Sequence, residues 1–234
     1  MVAQLAASVV LLDEDFGRIV EGVRLGRRID DNLRKVMTYI MAIHVPIAGL
    51  ALLPLLFGLP PLMLPVHVVV TEMIIDPVCS LAFENAPQAR GIMDRPPRPA
   101  SAPLVDRALV LRAAWQGLGL LAASLAAYAV ALDAGVPVDE ARTLAFIGLT
   151  AGNLSLVALN AAAGLPARRL FTREFRAFWV VAALAAGLLV LALTVPAVSA
   201  LMRLSPPSPG ALALTLAAIA ASTALPWRAR PRLG

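Results

Sequence analysis

Apolar residues in this chain follow a helical spacing from Phe16 to Ile40 and then merge into long unbroken runs. In the first stretch Phe16, Ile19, Val20, Val23, Ile29, Leu33, Val36, Met37 and Ile40 recur near the helical period. Arg18, Glu21, Arg24, Arg27, Arg28, Asp30, Asp31, Arg34 and Lys35 lie mostly between them. Such a pattern predicts an amphipathic helix over 16–36 that continues into the first apolar run without a break. It reads either as a solvated basic helix at a membrane surface or as a stalk joining a cytoplasmic domain to the membrane. Six apolar segments follow, at 37–58, 62–84, 107–132, 142–163, 175–198 and 209–227. Each is near the length that crosses a bilayer, about 20 residues. The expected fold is therefore all-α and integral to the membrane, with six transmembrane helices occupying 37–234. The connection 59–61 is minimal and predicts a tight antiparallel hairpin of the first two spans. The connection 85–106 is long, charged and rich in proline, which stops helices and favours an extended course. Ahead of the helix, the valine- and leucine-rich run 8–12 ends at Asp13, Glu14 and Asp15 and reads as a strand with no partner strand in this sequence.

Composition and charge sharpen the membrane reading. Of 234 residues 59% are hydrophobic and only 15% charged, more apolar surface than a soluble domain of this size can hide. The net charge of +5 could point to nucleic acid, but the basic residues edge the apolar runs and no aromatic residues interleave with them for stacking. Their distribution fits membrane orientation instead. The arm before the first span and the segments 85–112, 164–176 and 228–234 hold 6, 5, 4 and 3 of the 20 Lys and Arg, leaving Arg142 and Arg203 for the opposite side. The positive-inside rule then places both termini in the cytoplasm of a multi-pass protein of the cell membrane. The single cysteine, Cys79, excludes an intramolecular disulfide. The first residues carry no basic segment of the kind that opens a signal peptide.

Polar groups at bilayer depth carry the candidate chemistry, because burying them there is costly. Glu72 and Asp76 stand four residues apart in the second span, which puts both carboxylates on one helix face. Pro77 follows and frees the carbonyl of Met73. Carboxylates with a freed carbonyl suit a hard cation or a proton; Asp76 and Glu72 are the candidate metal ligands. In the first span His44 lies beside Pro46, which frees the carbonyl of Ala42. Paired proline breaks, here Pro46 and Pro77, mark binding sites in transporters. Thr71, Glu84, Asn153 and Asn160 are further candidate ligands, with hydrogen bonding within and between helices as their alternative role. His67 reads as a packing or interface residue. There is no glycine-rich phosphate loop, cysteine cluster or nucleophile-base set, and so no catalytic residue.

These residues also resemble a family. Residues 2–16 (Val-Ala-Gln-Leu-Ala-Ala-Ser-Val-Val-Leu-Leu-Asp-Glu-Asp-Phe) are similar to the end of the phosphorylation domain of P-type cation-transporting ATPases. Ile19 to Val23 and Gly26 to Lys35 look like the stalk into that family's fifth transmembrane helix, and Ile92-Met93-Asp94-Arg95-Pro96-Pro97-Arg98-Pro99 like its loop between the sixth and seventh helices. The resemblance implies that residues 1–15 are a remnant of the phosphorylation domain, 16–36 the stalk, and 37–234 the fifth to tenth membrane helices. It is to the calcium/magnesium-pump-like branch, whose sixth helix binds its ion through Asn-x-x-Thr-Asp; Glu72, Ile75 and Asp76 occupy the matching positions. The fifth-helix pattern Asn-Val-Gly-Glu corresponds to His44-Val45-Pro46-Ile47, so its glutamate is missing, which argues for a single ion site or a different cation.

The family's phosphorylation motif, Asp-Lys-Thr-Gly-Thr, its Thr-Gly-Glu motif and its nucleotide-binding domain are not in this sequence. The implied function is the ion-binding membrane half of a cation pump, as a fragment or one half of a split pump. ATP and Mg2+ are then cofactors of the complete pump only, and the partners are the lipid bilayer, the transported cation and a separate chain carrying the ATPase domains, with no nucleic acid. The alternatives are a stand-alone conduit or regulatory membrane protein without ATP coupling, and a non-functional truncation.

Overall fold

The computed structural model describes residues 15–228 save positions 85, 90, 100 and 164, and within helices it leaves out the side chains of 76, 78–80 and 225–228. All regular secondary structure among the described residues is helical. The expected strand at 8–12 lies outside them. Helix α1 (Gly17–Leu56) is a single helix of 40 residues, about 60 Å at the α-helical rise, twice the hydrocarbon thickness. Next come α2 (Pro65–Val78), which runs on into a π turn at Cys79–Phe83, and then α3 (Arg107–Asp133) and α4 (Val138–Ala161). Two short 3-10 turns, Ala167–Phe171 and Arg173–Phe175, lead into α5 (Arg176–Thr194), α6 (Pro196–Met202) and α7 (Pro209–Arg228). Among the described residues, four helical stretches are long and apolar enough to cross a membrane: Gly17–Leu56, Arg107–Asp133, Val138–Ala161 and Arg173–Thr194. Two shorter apolar helices, Pro65–Ile75 and Pro209–Ala224, stand beside them.

Two expected features come out differently, both because of proline. The stretch read as one span at 175–198 is broken at Val195, whose backbone is extended (φ −88°, ψ 112°). A residue before proline is pushed out of the helical region, and Pro196 restarts the chain as α6 with its ring at the first helical position. The hairpin expected from a minimal connection at 59–61 is looser, because Phe57 to Leu64 are all outside helices. Gly58 takes a positive φ of 71° after α1, and Pro60, Pro61 and Pro65 then hold the chain extended. Consequently α1 packs principally on α3, and not on α2.

The core lies where α1, α3 and α4 meet, with α7 closing over α3 and α4. Helix α4 is the hub: every residue from Ala141 to Thr150 is buried. Small residues allow this closeness. A Cβ at Gly117 of α3 would stand 2.4 Å from the Ala42 carbonyl oxygen of α1 and 2.8 Å from the Val45 Cβ. A Cβ at Gly152 of α4 would meet Leu120 at 2.1 Å. Tyr39, Ile43 and Leu50 of α1 fill the seam with Leu120 of α3 and Leu149 and Leu156 of α4.

The polar half of α1 is strapped by the connection after α2. Arg27 donates to the carbonyls of Ile92 (2.8 Å) and Arg95 (2.6 Å). Arg28 and Asn32 both donate to the Ala86 carbonyl, at 3.2 and 3.1 Å. In the reverse direction Arg95 pairs with Asp31 and Arg98 with Asp30, each at 2.8 Å. Arg34 reaches the Leu104 carbonyl at 2.9 Å and the Asp106 carboxylate. Asp106 also caps α3, accepting from the Leu109 amide at 2.8 Å. The arginine partner, followed by the cap amides, holds the Asp106 carboxyl below the ordinary carboxylate value.

Two outcomes follow from this packing. Gly117→Ala lowers thermal stability in detergent by about 1–3 kcal/mol, the usual cost of overpacking, because its Cβ meets backbone that cannot swing aside. Gly119→Ala, whose Cβ would have only the Ser222 carbonyl at 3.7 Å, leaves the melting temperature unchanged or raises it. For Asp106 the depressed carboxyl contributes stability above the ordinary carboxylate pKa, and that contribution is lost as pH falls through the lower folded value. The Leu109 amide resonance therefore holds its capped position at pH 5 and shifts only below about pH 4. In Asp106→Asn it shows no such titration.

Candidate functional site

The candidate acids stand on α2, which starts at a proline. Leu64, just before it, donates its amide to His67 Nδ1 at 3.0 Å, so His67 acts as a side-chain cap and is fully buried against Phe146 (ring centroids 4.9 Å apart). One turn on, Thr71 donates its hydroxyl back to the His67 carbonyl at 2.8 Å. Its donor thus serves its own helix, leaving the oxygen lone pairs for anything else. Glu72 is half-buried, and Asp76 follows one turn later on the same helix, with its side chain outside the described set. Pro77 lies inside α2 and the helix continues past it, widening into the π turn at Cys79–Phe83. Insertions of this kind are enriched at functional sites, because they turn side chains and loosen carbonyls from the regular ladder. Glu84, at the end of the π turn, is exposed.

The structure does not gather every candidate around Glu72 and Asp76. His44 is exposed on α1, with Nδ1 2.7 Å from the Ile40 carbonyl of its own helix. Pro46 is buried within α1, which passes through it as helix. The Ala42 carbonyl that Pro46 leaves without an amide donor faces Gly117 of α3. Asn153 accepts from the Tyr39 hydroxyl at 2.6 Å. Asn160 donates to Gln116 Oε1 and to the Leu156 carbonyl, each at 2.8 Å. Both asparagines thus tie α4 to its neighbours. Among the described residues, no three His, Cys, Asp or Glu side chains cluster as a metal site would require.

Several of the most engaged polar residues are ones that sequence reasoning did not single out. Tyr39 and Gln116 complete the two asparagine pairs, and neither stands out in a sequence because a lone Tyr or Gln in an apolar run has no motif. Arg142 is the other. It is 3% exposed and ties three segments together, donating to the carbonyls of Arg203 (2.9 Å) and Pro61 (3.0 Å) while pairing with Asp139. Its position in the basic count was the available signal, since it is one of two basic residues on that side.

With this geometry in place, comparison with known proteins identifies the architecture. The family described as "Cation transporting ATPase, C-terminus" matches residues 60–229. Among curated proteins, the chain is 33% identical over 144 residues to the "Probable cation-transporting ATPase F" of Mycobacterium tuberculosis, covering 62% of this chain and 16% of that protein. It is 38% identical over 131 residues to the "Sodium/potassium-transporting ATPase subunit alpha-B" of Artemia franciscana, covering 53% and 12%. It is 34% identical over 113 residues to the "Probable calcium-transporting ATPase" of Trypanosoma brucei brucei, covering 47% and 11%. The chain therefore spans less than a fifth of each of these relatives, and the two that name their ions name different ones. The match over residues 60–229, most of the chain, on a bundle of apolar helices, makes this protein a member of the cation-transporting P-type ATPase C-terminal membrane domain family.

Proposed function

We propose that this chain is the ion-binding membrane part of a P-type cation pump, and that it works with ATP-hydrolysing domains whose motifs this sequence does not contain. The observation that carries the proposal is the run Glu72, Asp76, Pro77 on α2 followed by the π turn, within the segment that matches the family. Asp76 is the principal ligand and Glu72 the second, with the Met73 carbonyl freed by Pro77 as an oxygen donor beside them. Thr71 can add a hydroxyl oxygen, and Glu84 an acidic entrance nearer the cytoplasm. His44, on the uncovered face of α1, would line the site only if α2 or another helix packs over that face. The match of Asp76 to the calcium-pump-like ion pattern favours that branch, while the missing fifth-helix glutamate favours one ion site, or a cation other than calcium. ATP and Mg2+ belong to the assembled pump.

We also propose six spans, with α2 plus its π turn and α7 crossing beside the four long helices, α1 projecting as a stalk, and both termini cytoplasmic. The support is the distribution of basic residues, 18 of 20 on one side.

In a cysteine-free background (Cys79→Ser), Ala100→Cys should be labelled by an impermeant reagent from the cytoplasm only, and Val138→Cys from the outside only. Labelling of both from one side overturns the topology. In the assembled pump, Asp76→Asn should abolish cation-dependent phosphorylation while leaving expression and insertion intact, because a neutral amide is cheaper to bury than a carboxylate. Glu84→Gln should cost much less. Normal transport by Asp76→Asn together with failure of Glu84→Gln would move the site toward the cytoplasmic end.

A further inference from the structure

Helix α2 carries the proposed ligands, yet its polar side chains hold it only at its start. Among the described residues, no side chain of α2 beyond His67 makes a polar contact outside the helix. The first turn is held by a cluster centred on Arg142, at one end of the bundle. The His67 ring rests on Phe146, which stands one turn from Arg142 on α4. The Met202 carbonyl lies beside the same ring. The next carbonyl, that of Arg203, accepts from Arg142 Nη1 at 2.9 Å. Arg142 Nη2 donates to the Pro61 carbonyl at 3.0 Å, and the adjacent Pro60 carbonyl accepts from the Tyr128 hydroxyl at 2.9 Å. One buried guanidinium therefore joins the connection that leads into α2 to the connection that backs the His67 ring.

A buried charge is a costly way to hold two loops, and here Arg142 Nε is left without a hydrogen-bond partner. Apolar contacts would hold the loops at lower cost. What the guanidinium adds is direction, because its donors lie in a fixed plane. Direction matters on α2, since successive residues step by about 100° around a helix. The rotation that buries His67 and Thr71 leaves Glu72 half-buried at the rim, with Asp76 one turn further along. A turn of one residue's step would carry Glu72 either into the core position of Thr71 or out to the exposed position of Met73.

We propose that Arg142 is a positioning residue for the cation site. Through the Pro61 and Arg203 carbonyls it fixes the rotation of α2, and so the side toward which the face carrying Glu72 and Asp76 is turned. It does not touch the cation. The inference rests on the ion site proposed above.

Two measurements test it. The first uses the whole chain in bilayers, with Cys79→Ser and a spin label at Met73→Cys or Ile74→Cys, positions 65% and 8% exposed. Oxygen dissolved in the lipid should relax the label at 73 more than at 74. Arg142→Gln should remove most of that contrast. Arg142→Lys keeps the buried charge beside Asp139, so it inserts even where the glutamine variant does not. Its ammonium lacks the planar fork that spans both carbonyls, so a smaller loss in the same direction is expected. Arg203→Asn should change nothing: it removes a positive charge at the same end but keeps the carbonyl, and asparagine tolerates the left-handed backbone there (φ 48°). The second measurement uses the assembled pump. In Arg142→Gln the cation concentration that half-saturates phosphorylation should rise by about ten-fold, the scale of one charge-assisted hydrogen bond, at an unchanged maximum. A merely structural role would lower the maximum and leave half-saturation in place. An unchanged contrast in both Arg142 variants, an equal loss in Arg203→Asn, or a lowered maximum at unchanged half-saturation overturns the proposal. Normal transport by Asp76→Asn would remove the ion site itself, and the label contrast would still decide whether Arg142 orients α2.

Discussion

In hydrocarbon a polar group has only the protein to pair with, and the interior of this bundle is arranged around that constraint. Its polar side chains are not scattered. Tyr39 meets Asn153, joining α1 to α4, and Gln116 meets Asn160, joining α3 and α4, which also touch closely at Gly152. Individually such bonds are modest in membranes, about 0.6 kcal/mol on average. Their effect is directional: an asparagine with one partner fixes the rotation of α4 about its own axis, which apolar packing alone would leave loosely specified. Arg142 does the same at the end of the bundle, where its guanidinium draws the carbonyls of Pro61 and Arg203 onto the start of α4. Removing either carbonyl segment would leave a buried charge underpaired, so the loops are as constrained as the helices.

Helix α1, tied to α4 through Tyr39, continues beyond the apolar core as a polar, arginine-rich half. There the rules change, because water competes for every charged group and single exposed ion pairs contribute little. The strap compensates by number and by direction. Arginines of α1 reach carbonyls of the connection, and arginines of the connection reach aspartates of α1. Arg28 and Asn32 converge on Ala86, just past the π turn that ends α2. The end of the candidate ion helix and the polar half of α1 are therefore joined by hydrogen bonds, although their apolar lengths pack on different neighbours.

Much of this was legible in the sequence where the signal was periodic or repeated. The amphipathic run from Phe16 and the apolar stretches at 37–58, 107–132 and 142–163 correspond to helices because their spacing has one reading. Proline was legible only in part. Pro196 broke a span that hydropathy alone makes continuous, whereas Pro46 sits within an unbroken helix, because a long helix with flanking packing can tolerate one missing amide. The freed Ala42 carbonyl, read as a candidate lining group, instead meets a glycine of α3. No sequence pattern indicates which way a freed carbonyl points, since that depends on the rotation of a helix against a neighbour over a hundred residues' worth of contacts. The asparagine pairs were invisible for the same reason: Asn153 and Asn160 were apparent as polar, but Tyr39 and Gln116 are partners only in three dimensions.

The exposed surfaces bear on what the candidate site requires. On α1, His44 and Leu52 are uncovered on one side, and on α2 Val69 and Met73 are uncovered beside the half-buried Glu72. Apolar side chains there can rest against lipid without cost. A carboxylate cannot, because charge at bilayer depth is stable only against a cation, a proton or a polar wall. Among the described residues no hydrogen bond or ion pair engages Glu72; Thr71 is turned back to the His67 carbonyl and His44 to that of Ile40. If Glu72 holds a cation as proposed, further polar atoms would come from a surface packed over these uncovered faces. The two core pairs give Asn153 and Asn160 partners inside the bundle. Glu72 is set apart from them by standing at the edge.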